Sequence, residues 1–333
     1  MITVKKAFKH KNQQVYEIHM ANETISCKFL SLGATLTHFS KANGDNIVVS
    51  YKNPKQYTNN EVYLGSTIGP LAGRTKDGKF NVDGVEYQLD LNDGANHLHG
   101  GKSGLHTHNF AYLYEDDEKF PSLVFTDTID HSESGYPGSI TYNISYRLVA
   151  NTLIVNLKAF PDTKTAINLT THAYFNLSEE DTILNHLLQI DSNQVVKLDD
   201  NYVPSQELIR VQNTAFDFRT GQTIGERIKK GHEQFNLTRS IDHPYLLGDK
   251  RSIVLFDSQS KQSLSINTTA PVCVIYLANF FDESFESERH QKAKNQAGIA
   301  IEPSDLPNGI NLDDDLVYGP DKPFDQTTWY TLT

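Results

Sequence analysis

This sequence predicts an all-β protein, a large antiparallel β-sandwich with few short helices. Three observations carry that reading. Apolar and polar residues alternate with the two-residue period of a strand in segments spread from end to end. Turn clusters separate those segments, among them Asn43-Gly44-Asp45, Asp83-Gly84, Asn92-Asp93-Gly94 and Pro307-Asn308-Gly309. Amphipathic helices are scarce. The best candidate, Thr223 to Lys230, is about two turns long, so the strand–helix rhythm of a parallel α/β fold is missing.

The strands follow in chain order. Ile25, Cys27 and Phe29 alternate with Ser26 and Lys28. Ile140, Tyr142, Ile144, Tyr146 and Leu148 alternate with Thr141, Asn143, Ser145 and Arg147. After an Ala150-Asn151 turn come Leu153, Val155, Leu157 and Ala159, which makes the pair a hairpin. Further runs are Ile253 to Phe256, Leu264 to Ile266, Val272 to Leu277 and Ile299 to Ile301. No internal repeat and no low-complexity linker divides the 333 residues, so we expect one domain over positions 1–333. Its long loops are where a rigid sheet would carry function.

Composition narrows the partners. A net charge of -11 without a long basic run argues against nucleic acid and anionic membranes, which leaves a ligand that is uncharged or small. The hydrophobic fraction of 38% fits a soluble globular chain. The N-terminal MITVKKAFKHKNQQVYEI has no apolar signal region. No stretch approaches the roughly 18 apolar residues that span a bilayer. The only cysteines, Cys27 and Cys273, sit in alternating segments and read as buried thiols of a reducing compartment. The expectation is a cytoplasmic protein.

The stretch Asn168 to Leu177 (N-L-T-T-H-A-Y-F-N-L) says most about function. Read as one strand, Leu169, Thr171, Ala173, Phe175 and Leu177 form a mostly apolar face. Asn168, Thr170, His172, Tyr174 and Asn176 form a face of uncharged hydrogen-bonding groups. A solvent face carries Lys, Glu or Arg; this one reads as the wall of a polar pocket around a group that titrates near neutrality.

Four other segments hold candidate chemistry. Gly73 to Phe80 nearly matches a phosphate loop, but Phe80 replaces the hydroxyl residue and a turn follows where a helix is required. Arg74 remains there, and an isolated arginine is ordinarily a solvated surface group. In Asn96-His97-Leu98-His99-Gly100-Gly101, strand alternation lets His97 and His99 point together, and His106 and His108 follow. Imidazoles suit a metal, yet no carboxylate between His97 and His108 completes a set. Histidines capping a glycine turn, or a tight binding loop, account for the segment as well. Asp242, before His243-Pro244-Tyr245, reads as an Asx turn at a strand entrance. Glu302 ends an apolar strand, where a carboxylate is costly without a job or a partner, as a general base or in a buried ion pair.

Taken in order, the segments G-P-L-A-G-R-T-K-D-G-K-F, N-H-L-H-G-G, T-T-H-A-Y-F-N-L, I-D-H-P-Y and I-E-P-S-D-L-P-N-G-I-N resemble the aldose 1-epimerases, the galactose mutarotase family, over nearly the whole chain. The resemblance implies a mutarotase-like β-sandwich that interconverts the anomers of a free aldohexose such as D-galactose or D-glucose, with no cofactor and no metal. By the same resemblance His172 is the general acid on the ring oxygen and Glu302 the general base on the anomeric hydroxyl. Arg74, His99 and Asp242 bind sugar hydroxyls, His99 rather than His97 being the pocket residue. Tyr174, Phe175, Phe280 or Phe281 is expected as an apolar platform. Three departures from the family pattern bear on sugar preference: Pro70 stands where an Arg is common, Ser304 follows the Glu-Pro, and Val274 replaces a frequent Gln. Two rival readings are a glycoside hydrolase using Glu302 and Asp242, and a noncatalytic sugar-binding protein. The oligomeric state is left between monomer and homodimer.

Overall fold

The alternating segments pair into three main antiparallel sheets in the computed structural model, which describes residues 1–289, 292–312 and 315–333. A four-stranded meander opens the chain, from Ile2–His10 to Thr35–Lys41. A nine-stranded sheet runs from Ala111–Glu115 at one edge to Gln222–Thr223 at the other. At its middle, Phe324–Leu332 lies between Thr152–Pro161 and Ser263–Thr268. A six-stranded sheet contains Tyr174–Phe175, Ile299–Ser304, Val272–Tyr276, Asp242–Leu247, Ser192–Leu198 and Pro204–Arg210, in that spatial order.

Period-two patterning dictates how the sheets face each other. In Ser139–Val149, Ile140, Tyr142, Ile144, Tyr146 and Leu148 are all buried while the residues between them reach solvent to varying degrees. One continuous core joins these side chains to Phe29 and Phe39 of the meander and to Ile275, Ile299 and Ile301 of the six-stranded sheet. Aromatic contacts cross both seams: Phe29 lies 4.4 Å from Tyr146, and Phe175 lies 5.8 Å from Tyr330, centroid to centroid. Each fully buried apolar side chain of this size contributes about 1.5–3 kcal/mol. The sandwich expected from sequence is therefore present, nine strands against four and six.

Helix is confined to short pieces, as the sequence implies. Ile224–Lys230 and Phe235–Thr238 are the α-helices among the described residues, and none there is long and apolar enough to cross a membrane. The thiols of Cys27 and Cys273 are buried and unpaired.

One expectation needs correcting. Asn168 to Leu177 is not a single two-faced strand. Thr170–Thr171 pairs with Thr67–Ile68, the pairing breaks at His172 and Ala173, and Tyr174–Phe175 then pairs with Ile299 and Ala300. Every residue of the stretch is buried. The segment passes from one small ladder to the edge of another sheet, so covering elements lie on both sides of it.

Candidate active site

The six-stranded sheet has a core face and a cleft face. His243, Ile275 and Ile301 point into the core. Their strand neighbours point the other way in two adjacent rungs. Pro244, Val274 and Glu302 form one rung; Asp242, Tyr276, Ala300 and Tyr174 form the next. Above these rungs sits a cavity of about 220 Å³, walled also by Tyr63, Arg74, His99, His172, Tyr202 and Phe280. All five residues named from sequence, Arg74, His99, His172, Asp242 and Glu302, line it together.

At its base, His172 Nε2 lies 3.3 Å from Glu302 Oε1, with the two residues only 5% and 4% exposed. The His172 backbone is fixed at both ends, its N–H donating to Ser66 O and its carbonyl accepting from Gly65 N. Its Nδ1 is buried with no hydrogen-bond partner among the described residues. Burial pushes the His172 imidazole down to about 4. Burial, followed by the nearby Asp242 charge, holds Glu302 well above the usual carboxylate range. The direction is the same for both: each group favours its neutral form. Together they hold one proton, which a 3.3 Å contact allows to sit on either partner.

Arg74 is not the solvated surface group that its sequence context suggests. Arg74–Thr75 pairs with His97–Leu98, and Arg74 Nε binds Asp93 Oδ2 at 2.6 Å. Its guanidinium carbon stands 5.1 Å from the Tyr202 ring centroid. Only Nε is engaged by Asp93, so the planar fork is aimed by a partner while the side chain still lines the cavity.

The two histidines of the His-Leu-His segment do not point together. His99 adopts φ 54°, which breaks the strand alternation after Leu98. His97 turns into the core, bonded to Asp90 O and Tyr136 Oη. His99 turns to the cleft, and its Nδ1 accepts from Gly73 N at 3.1 Å. That contact fixes the tautomer and leaves Nε2–H as a donor. Burial first, then His172 and Arg74, keep His99 uncharged. Gly100 makes the turn possible: at φ 86°, a β-carbon there would sit 1.9 Å from Gly69 O. Among the described residues no cluster of three metal-ligating side chains forms.

Asp242 does not act as an Asx turn. Among the described residues its carboxylate accepts no backbone hydrogen bond, and it opens its strand facing the cleft. Burial raises its pKa, and Arg74 opposes the rise.

The polar residues of 168–177 divide. Thr170, His172 and Tyr174 line the cavity. Asn168 and Asn176 instead brace loops. Asn168 exchanges two hydrogen bonds of 3.0 Å with the Asp305 backbone, and Asn176 Nδ2 donates to Glu180 O and Ala297 O. Of the four suggested platforms, Tyr174 and Phe280 line the cleft, whereas Phe175 and Phe281 are core. Sequence reading missed Tyr63, Tyr202 and Tyr276. Tyr276 carried a signal, because it shares the parity of Val274 on an alternating strand. Tyr63 and Tyr202 lie in loops and carried none.

The fold and cleft define a class, a β-sandwich with a histidine–glutamate pair beneath a polar cavity that Arg74 also lines, and known proteins share the fold. A solved galactose 1-epimerase from Lactobacillus acidophilus superposes with a TM-score of 0.91 at 28% identity, covering 100% of this chain and 98% of its own. The sequence profile described as Aldose 1-epimerase matches residues 16–331, and the chain belongs to that family. It is similar to the aldose 1-epimerase of Streptococcus thermophilus (30% identical; 89% of this chain, 88% of the relative). It is also similar to the galactose mutarotase of Sus scrofa (27% identical; 96% and 94%).

Proposed function

We propose that this chain, working as one domain, is an aldose 1-epimerase that interconverts the α and β anomers of a free aldohexose such as D-galactose or D-glucose. The observation that carries the reading is the 3.3 Å contact of His172 with Glu302 at the base of a cleft lined by Arg74, His99 and Asp242.

Anomerisation requires the hemiacetal to open. His172 gives its proton to the ring oxygen as the C1–O5 bond breaks, while Glu302 takes the proton from the O1 hydroxyl and C1=O1 forms. After rotation about C1–C2, the C5 oxygen attacks the other face of C1, His172 recovers its proton, and Glu302 returns the other to O1. The starting tautomer, imidazolium with carboxylate, has the same proton count as the neutral pair. Sugar hydroxyls and Arg74 stabilise the charged form once substrate fills the cavity. Each proton transfer contributes about 10²–10⁴-fold. Water alone already anomerises sugars, so two positioned groups suffice. Asp242, Arg74 and the His99 Nε2–H bond hydroxyls and orient the ring. Two buried free thiols support a reducing, cytoplasmic setting.

The geometry favours this over hydrolysis because a histidine stands 3.3 Å from Glu302, so the pair at the base of the cleft is an imidazole and a carboxyl and not two carboxyls. Polarimetry of fresh α-D-galactose and α-D-glucose tests it, with His172→Ala and Glu302→Ala beside the wild type. Equal rates for both variants and wild type sink the acid and base assignment. A wild type that only matches buffer, yet binds sugar, makes the protein a binding module. Release of reducing ends from a glycoside makes it a hydrolase.

A further inference from the structure

Tyr63 is a cleft residue with an unusual backbone. It carries a β-carbon yet holds φ at 56°, a region that L-residues avoid and that collects at functional sites. Its turn is over-determined. Tyr63 N donates to Asn60 O, Ser66 N donates to Tyr63 O, and the Asn60 side chain bonds both Leu64 N and Leu64 O. The same turn grips both backbone polar groups of His172 through Gly65 and Ser66. Gly65 is required there, since a β-carbon at its φ of 65° would lie 2.1 Å from Leu36 O.

The ring that this turn presents touches three imidazoles. Its centroid is 4.6 Å from His99, 4.9 Å from His106 and 5.9 Å from His172. On one side lies the catalytic cleft. On the other lies a second cavity of about 330 Å³, walled by His10, Lys11, Tyr57, Asn60 and His106, and Tyr63 lines both.

We propose that Tyr63 is a positioning residue for the acid–base pair, a partition that holds His172 and His99 in one mutual orientation and keeps the side cavity's water off His172. The proposal rests on the reading of His172 as the acid. The two imidazoles stand edge to face, 5.4 Å apart and 86° between planes, and Tyr63 contacts both. The other groups around His172 are Glu302, Tyr276 and Tyr174 from the six-stranded sheet, and His106 from the loop behind Tyr63. Burial is the leading cause of this histidine's neutrality, so joining the two cavities hydrates it and makes protonation easier.

The test compares Tyr63→Ala, Tyr63→Gly and Tyr63→Phe with wild type. Tyr63→Gly relieves the backbone while removing the ring. Polarimetry gives kcat and KM from about pH 4 to 9, ¹⁵N NMR gives the His172 titration midpoint, and thermal unfolding reports the fold. Removing the ring is expected to lower kcat roughly 10–100-fold with KM within about 3-fold. The acid limb of the profile and the His172 midpoint both move up toward 6.5, and Tyr63→Phe restores rate and profile. A folded Tyr63→Gly protein with wild-type kcat and an unmoved midpoint overturns the proposal, as does a loss confined to KM. If wild type fails to accelerate anomerisation, the functional reading falls, while the His172 midpoint in Tyr63→Gly still decides whether Tyr63 is a partition.

Discussion

His172 Nε2 and Glu302 Oε1, both buried, approach to 3.3 Å, so neither group titrates independently of the other. Removing either is expected to slow anomerisation by about 10²–10⁴-fold. Because the two act as a unit, the double variant His172→Asn/Glu302→Gln falls little further than the worse single variant. Polarimetry on the four proteins checks this. Multiplying losses would show two independent groups.

The pair also sets the pH profile. A second proton loads only as pH falls toward about 4, where His172 protonates. The last proton leaves only well above the ordinary carboxylate range, because burial and Asp242 raise Glu302. Activity is therefore expected to hold a broad plateau through neutrality and to fall on the acid side near pH 4, after subtraction of buffer catalysis. An acid limb at 6.5, the ordinary histidine value, contradicts the one-proton pair.

Buried histidines make the fold acid-sensitive. Burial lowers His131 and His243 to about 3, and His38 and His186 to about 4. The unfolded chain binds protons at these residues from about 6.5 downward and the native chain does not. Their stabilisation is thus complete above 6.5 and is lost as pH falls toward 4. Each contributes roughly 2 kcal/mol of lost stability between pH 7 and 5. Glu302, held well above the usual carboxylate range, and Asp242, also raised, take up protons more readily in the folded chain and so oppose this loss. Urea unfolding at pH 7, 6 and 5 should show a falling midpoint, and a constant one contradicts the account.

Asn168 links three segments that carry the site. Its backbone joins Pro70 and Ala72, upstream of Arg74; its amide joins Asp305, downstream of Glu302; its own chain leads to His172. Asn168→Ala removes both side-chain hydrogen bonds to the half-buried Asp305 backbone and is expected to cost about 1–3 kcal/mol. The surviving folded protein should lose kcat through a looser acid–base spacing. Thermal unfolding and polarimetry together measure both effects, and unchanged stability removes Asn168 from this role.

Sequence reading reached the alternating strands because period-two burial is a local property, and it reached the five cleft residues through motifs kept in order. It failed where tertiary context overrides local pattern. Asn168 and Asn176 have the parity of His172, but the strand they imply is interrupted, and their amides meet backbone instead of ligand. His97 and His99 were paired by alternation that a φ of 54° undoes. Tyr63 and Tyr202 enter the site from loops, each with a positive φ, and only the closed fold brings them there.

The strand Phe324–Leu332 occupies the middle of the nine-stranded sheet, between Thr152–Pro161 and Ser263–Thr268. During synthesis both neighbours therefore wait with open, hydrogen-bond-hungry edges until this late segment leaves the ribosome, a state prone to edge-to-edge aggregation. Its two ladders of backbone hydrogen bonds are therefore what rivet the Thr152–Pro161 half of the sheet to the Ser263–Thr268 half, and losing this one strand would part the sheet in two.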